Sequence, residues 1–221
     1  MLRTARVFAV FSCSWAPTRD TSTFWKQTTL VRLCGVPGNS IQDAIYRVSD
    51  VLAHAEATGT LMCVLTLDFQ QAFDRISRQY LFHILQRYGI SPWFVERIHA
   101  LYDQAMASVQ INGSLAGRIP IRSGVRQGCP LSVALYALCL HPLISALEDS
   151  LPSIKIGRNT RHGPVIAFAN DVTVFVTNPG DFHAIQQAIH LYERATGARL
   201  NPRFSHRGLD RAPDSPGHIL S

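Results

Sequence analysis

The sequence predicts an α+β fold, with helices packed on a mostly antiparallel sheet. Three observations carry this. Residues 61–67 (LMCVLTL) form a continuous apolar run rich in β-formers that ends on Asp68. Residues 165–176 (VIAFANDVTVFV) hold two apolar β runs about an Asn-Asp pair. Segments of helical period, each with capping signals, lie between and around these runs without strict alternation of strand and helix.

Taken in order, residues 1–30 show no clear period and are expected to hold little stable structure as a poorly defined leader. Arg3 and Arg6, a short apolar stretch and the lack of an acid before Asp20 allow a weak signal or transit segment; the plainer expectation is a poorly ordered leader. Pro37, Gly38, Asn39 and Ser40 make a turn signal. Ser40 with Asp43 resembles a capping box, with Asp in the usual Glu place, and opens a helix. Ile41, Ile45, Val48, Val51 and Leu52 follow at helical spacing, and Thr58-Gly59 ends it. The run at 61–67 is expected to be a buried strand.

A helix is predicted over Ser77 to Tyr88, closed by Gly89. Ser91-Pro92 starts another, with proline at the first helical position. Asn112-Gly113 between SVQI and SLAGRIPI signals a hairpin. Residues 130–148 start at a proline and are apolar enough for a largely buried helix. The hairpin at 165–176 is expected to carry Asn170 and Asp171 at its tip. Asp181 is expected to cap a helix with Phe182, Ile185, Ile189 and Tyr192 on one face and Gly197 at its end. The polar, Pro-rich residues 208–221 read as a disordered tail, which leaves 31–207 as the domain.

The 221 residues are 47% hydrophobic and 16% charged, a globular composition and not a disordered one. A net charge of +6 and a pI near 9.4 suit a polyanionic partner without requiring one. Five cysteines, odd in number and without a C-x-x-C pair, exclude a disulfide scaffold or zinc finger and fit a reducing, intracellular compartment. The nucleus is included, although no basic cluster is dense enough to read as a nuclear signal. Most of the cysteines are expected to be small buried residues. No apolar run is expected to reach the roughly 18 residues of a membrane span, so no membrane partner is expected.

On geometry alone, Asp68 at a strand end and Asp171 at a hairpin tip converge if their strands are neighbours. Convergent carboxylates are hard oxygen ligands suited to Mg²⁺ held together with substrate phosphates. Two such ions about 4 Å apart activate an attacking hydroxyl and stabilise the leaving oxygen. A single strand-end Asp is more often a cap or turn residue, and Asn-Asp is a common turn pair.

The local sequences add more. LDFQQAFDRIS (Leu67 to Ser77) resembles motif A of the reverse transcriptases of non-LTR (LINE-type) retrotransposons. SGVRQGCPLS (Ser123 to Ser132) is nearly identical to that family's motif B, and AFANDVTVF (Ala167 to Phe175) sits where its F-A-D-D box is expected. VPGNSIQDAI (Val36 to Ile45) and GARLNPRFS (Gly197 to Ser205) resemble the flanking V-P-G-R-S and G-x-x-L-N-x-x-K-S segments. The five matches stand in family order with family-like separations.

The resemblance implies the fingers and palm of a right-hand polymerase, with the thumb absent. It also implies RNA-directed DNA polymerase activity on an RNA template, a DNA primer and deoxynucleoside triphosphates, with two Mg²⁺ ions. It makes Asp68 and Asp171 metal-binding and catalytic residues, with the Phe69 backbone beside the second ion. Phe73 matches the aromatic that crowds the sugar 2′ position of the nucleotide, although it is also placed to be a core aromatic. Gln127 and Gly128 match the pair beside nucleotide and template, where glycine lets backbone approach a ligand. Arg122 and Arg126 would favour phosphate, or be ordinary solvated charges. Asp74 is expected to be a structural hydrogen-bond acceptor. The sequence says nothing of oligomeric state.

Departures from the pattern imply impairment. Asn170 replaces the first Asp of the box, which is a metal ligand in the family. At about 4 Å and an effective dielectric near 20, one charge–charge term is on the order of 4 kcal/mol, and a divalent ion doubles it. Gln71 and Phe204 stand where lysines are expected, and Asn39 where an arginine is. The 221 residues are expected to leave no room for a thumb, further fingers or an endonuclease. Three expectations therefore stand together: a competent polymerase domain, a catalytically dead and degenerate remnant, or a residual nucleic-acid-binding module.

Overall fold

The computed structural model describes residues 6–8, 40–112, 114–157 and 160–201. Its strands are β1 (Arg6–Phe8), β2 (Cys63–Leu67), β3 (Met106–Ile111), β4 (Ser114–Pro120), β5 (Ile154–Ile156), β6 (Thr160–His162), β7 (Val165–Phe168) and β8 (Asp171–Val176). Its helices are α1 (Ile41–Thr58), α2 (Ala72–Arg75), α3 (Arg78–Arg87), α4 (Pro92–Asp103), α5 (Pro130–Ser150) and α6 (Asp181–Thr196). The fold is α+β, and every described strand pair is antiparallel. The sheet orders are β2-β8-β7, β1-β3-β4 and β5-β6. Apart from β1, the expected leader and the tail lie outside the described residues.

Local chemistry sets most boundaries. Ser40 Oγ accepts from the Asp43 amide and donates to its carboxylate, while Gly59 closes α1 at φ 64°. Ser77 and Ser91 cap α3 and α4 by accepting from Tyr80 N and Phe94 N. Asn112 takes φ 51° at the β3–β4 turn. Asp181 does not cap α6 but is its first residue; Gly180 is the cap, with its amide bonded to Asn178 Oδ1. An Asx turn at Asn178 already sets the entry of the chain, so the Asp181 carboxylate is not needed there. The strands β5 and β6 were not signalled, since three residues are too short for a period to show.

The core centres on α5, where Leu131, Leu135, Leu138, Leu143 and Leu147 are all buried. Residues 131–150 are long and apolar enough to cross a membrane, which corrects the expectation that no run reaches that length. Burial explains the composition: α5 packs against α3 and α6 and under the β2-β8-β7 sheet, so most of its circumference meets protein.

That sheet has two unlike faces. Leu67, Val172, Val174, Val176, Val165 and Ala167 share the face on the main core. Opposite are Val64, Thr66, Thr173, Phe175 and Ile166, with Val51 and Ile154 closing a small second cluster over Phe175. The run at 61–67 is therefore not a fully buried strand: Val64 is exposed, Leu61 lies outside β2, and only Leu67 is buried. β2 is the edge of its sheet, and α1 covers little of its outer face. Likewise α1 buries Val51 and Ala55 but leaves Ile41, Ile45 and Leu52 exposed. Of the described cysteines Cys139 is buried, whereas Cys63 and Cys129 are half-buried; Cys13 and Cys34 lie outside the described residues.

Candidate active site

Asp68 follows β2 and Asp171 begins β8. The register Leu67↔Val172, carried one step on, sets Asp68 opposite Asp171. Alternation then puts both on the same face as Thr66 and Thr173, away from the core. Asp171 is not at the hairpin tip. It pairs with Phe168, and the two-residue tip is Ala169-Asn170, with Ala169 at φ 56°. Asp68, Asn170 and Asp171 are thus gathered at one end of the sheet, with Asn170 one residue out from the pairing.

Tyr136 of α5 lies under this end. Its phenol pKa is pushed up chiefly by burial, with smaller contributions from Cys139, Asp171 and Asp68, so both carboxylates are within electrostatic reach of it. The Tyr136 and Tyr192 hydroxyls interact, but no hydrogen bond of normal geometry joins them. The Phe73 ring stacks on Tyr136 with centroids 4.5 Å apart. The Phe69 ring is buried edge-on against Tyr192, and its backbone bridges Leu200.

The segment after β4 docks on α2. Gly124 N donates to Ile76 O and Val125 N to Phe73 O, both at 2.8 Å. Ser123 Oγ donates to Asp74 O. Gln127 Nε2 donates to both Asp74 carboxylate oxygens, at 3.2 and 3.0 Å. Asp74 is therefore a hydrogen-bond acceptor, as expected. Gly128 takes φ 77° beside open space, whereas Gly124 is the glycine in backbone contact.

Phe73 and Gln127 are brought together through α2, but Arg126 is turned away. Its guanidinium donates to Leu101 O and lies over the Tyr102 ring, 5.4 Å from the centroid. Arg122 is exposed. Sequence reasoning did not single out Asn201, Gly124 or Tyr136. Asn201 and Gly124 stand inside recognised motifs, yet their contacts reach across the fold and leave no local signal.

Between α1 and the β7–β8 hairpin lies a cleft of about 270 Å³, lined by Ile45, Val48, Ile166, Phe168, Thr173 and Asp171. Among the described residues no group of three or more His, Cys, Asp and Glu surrounds a common point. Two carboxylates with an amide oxygen nearby are nevertheless a hard-oxygen set. They fit Mg²⁺, which is commonly bound through one or two carboxylates with substrate phosphates and water supplying the rest.

Residues 25–206 match the family model described as reverse transcriptase (RNA-dependent DNA polymerase). The chain is 36% identical over 166 residues to the transposon TX1 uncharacterized 149 kDa protein of Xenopus laevis, a match covering 75% of the chain and 13% of that protein. It is 28% identical over 139 residues to a retrovirus-related Pol polyprotein from a type-1 retrotransposable element R2 of Popillia japonica, covering 63% of the chain and 23% of that protein. The chain thus spans a small part of the relatives it matches. The structure of telomerase from Candida albicans in complex with a TWJ fragment of telomeric RNA superposes with a TM-score of 0.56 at 12% identity, over 83% of this chain and 32% of that one. At that identity the likeness is one of fold.

Proposed function

Because the chain belongs to the reverse transcriptase (RNA-dependent DNA polymerase) family, in the branch carried by non-LTR retrotransposons, we propose that it forms the fingers-and-palm part of a polymerase that extends a DNA primer on an RNA template. The observation that carries this is the facing of Asp68 and Asp171 across the end of β2–β8, with Phe73 and Gln127 on the adjoining α2 surface.

The primer 3′ oxygen forms a bond to the α-phosphorus of a deoxynucleoside triphosphate. The bond from that phosphorus to the bridging oxygen breaks, pyrophosphate leaves, and the hydroxyl proton passes to solvent. Reverse transcriptases generally use Mg²⁺, which when bound supplies positive charge to the reacting oxygens. Asp68 and Asp171 would hold it, with the Asn170 amide oxygen as a neutral third donor. Phe73, backed by Tyr136, crowds the sugar edge and favours deoxynucleotides. Gln127, fixed to Asp74, and Gly128 line the nucleotide side, and Arg122 supplies charge to a phosphate.

Asn170 carries no negative charge, so Mg²⁺ binding is weaker than with aspartate and extension is slowed. Primer extension on an RNA template with Mg²⁺ and deoxynucleotides, comparing the chain with Asn170→Asp, tests this. Faster extension by Asn170→Asp, abolished by Asp68→Asn, is expected. Extension indifferent to Asp68→Asn, or none from either form, overturns the proposal.

A further inference from the structure

The segment after α6 is laid against Asp68 by bonds made through the segment's own main chain. Gly197, at φ 81°, turns the chain so tightly on α2 that a Cβ there would stand 3.2 Å from Arg75 O. Leu200 N is captured by Glu193 Oε1 at 2.7 Å. Gln70 N donates to Arg199 O and Asn201 N to Asp68 O, each at 2.8 Å. The Asn201 backbone is thus fixed before its side chain is considered.

The side chain then does something else. Asn201 Nδ2 donates to Asp68 Oδ2 at 3.2 Å. An ionised carboxylate only accepts, so the amide nitrogen must be the end that faces it. The bond holds one carboxylate oxygen and fixes the rotation of the group. Asp68 itself faces Asp171 across the end of β2–β8. We infer that Asn201 is a positioning residue, holding the Asp68 carboxylate in the orientation that binds a divalent cation. The inference rests on Asp68 being a cation ligand. Hydrogen bonds to ligating carboxylates tune metal affinity, and losing such a partner costs roughly 10–100-fold.

Mn²⁺ binding to the full chain, followed by the electron paramagnetic resonance of the free ion, tests this without polymerase activity. Asn201→Ala is expected to bind Mn²⁺ about tenfold more weakly. Its melting temperature is expected to stay close to the parent's, because the backbone bonds remain. Asn201→Ser, whose hydroxyl stops short of Asp68, repeats the test if alanine unsettles the fold. Combined with Asp68→Asn, Asn201→Ala is expected to cause no further loss, since it acts through the residue already removed. Unchanged Mn²⁺ affinity in Asn201→Ala, beside weakened affinity in Asp68→Asn, overturns the positioning role alone. So does a further loss in the double variant. Unchanged affinity in Asp68→Asn overturns instead the assignment of Asp68 as a ligand, and the polymerase proposal with it.

Discussion

Gly124 lies against the backbone of Asp74 so closely that a Cβ on it would meet Asp74 Cα and Asp74 O at 2.6 Å and Phe73 O at 2.7 Å. Its φ of 81° would strain any other residue as well. No flexible side chain can give way, because the opposing atoms are main chain. Gly124→Ala is therefore expected to destabilise the fold by about 3 kcal/mol or more, or to prevent folding. Gly128→Ala, with open space around the site, is expected to cost only the φ strain, about 1–2 kcal/mol. Denaturant melts of the two variants check the ordering, and equal losses would contradict the docking geometry.

That contrast shows what was legible beforehand. Helix caps at Ser40 and Ser91, a helix starting near Ser77, the turn at Asn112 and the strand ending at Asp68 follow from rules spanning a few residues, and they read directly from the sequence. Gly124 and Gly128 look alike in S-G-V-R-Q-G, because what separates them is α2, contributed by a distant stretch. The edge position of β2 depends on pairing with β8, so its exposed face could not be seen in a run as apolar as residues 61–67. Asn201 was visible as a motif letter, while its bond to Asp68 requires α6 and its turn to bring the two together.

Arg122 and Arg126 separate in the same way. Arg126 donates to Leu101 O and covers the Tyr102 ring, so Arg126→Ala is expected to lose about 1–2 kcal/mol of stability. Its effect on the salt dependence of nucleic-acid binding is expected to be small. Arg122 is exposed, and under the proposed function it is the arginine that contacts phosphate. Arg122→Ala is expected to leave the melting temperature unchanged and to lower the salt slope of binding to an RNA–DNA hybrid by about 1. Filter binding at several salt concentrations, with thermal melts beside it, decides between the two assignments.

Ala169 holds φ 56° at the hairpin tip beside Asn170. An alanine there carries a Cβ penalty of about 1–2 kcal/mol, which glycine avoids. Glycine gives back roughly 0.5–1 kcal/mol in chain entropy. Ala169→Gly is thus expected to raise stability by about 0.5–1 kcal/mol, a rise of about 2 °C in Tm for a domain of this size. A fall in Tm would mean that the turn is not held in this conformation.

Phe73 stacks on Tyr136 at 4.5 Å, so its ring is braced on one face. In the Asn170→Asp background, Phe73→Val is expected to lower the preference for deoxynucleotides over ribonucleotides by about tenfold or more, judged by kcat/KM. Tyr136→Leu, which removes the brace and leaves the ring, is expected to lower it less. If Phe73→Val slows both substrates equally, the ring packs the core and does not select.

His141 gives a pH dependence of defined sign. Burial holds its pKa below the ordinary 6.5, and its Nδ1 meets the Tyr88 hydroxyl. Burial also raises the Tyr88 pKa, so the phenol is the donor and the imidazole the neutral acceptor. Below 6.5 the unfolded chain takes up a proton at this position before the folded chain does. Stability is therefore fully present above 6.5 and is lost as pH falls toward the lowered folded value. Protonation would also turn Nδ1 into a donor facing a donor. The melting temperature is expected to fall between pH 7 and pH 5, and His141→Asn, which keeps an acceptor for Tyr88 but does not titrate, is expected to flatten that fall. An unchanged slope in His141→Asn would assign the pH dependence to other groups and leave the Tyr88–His141 pair without a part in it.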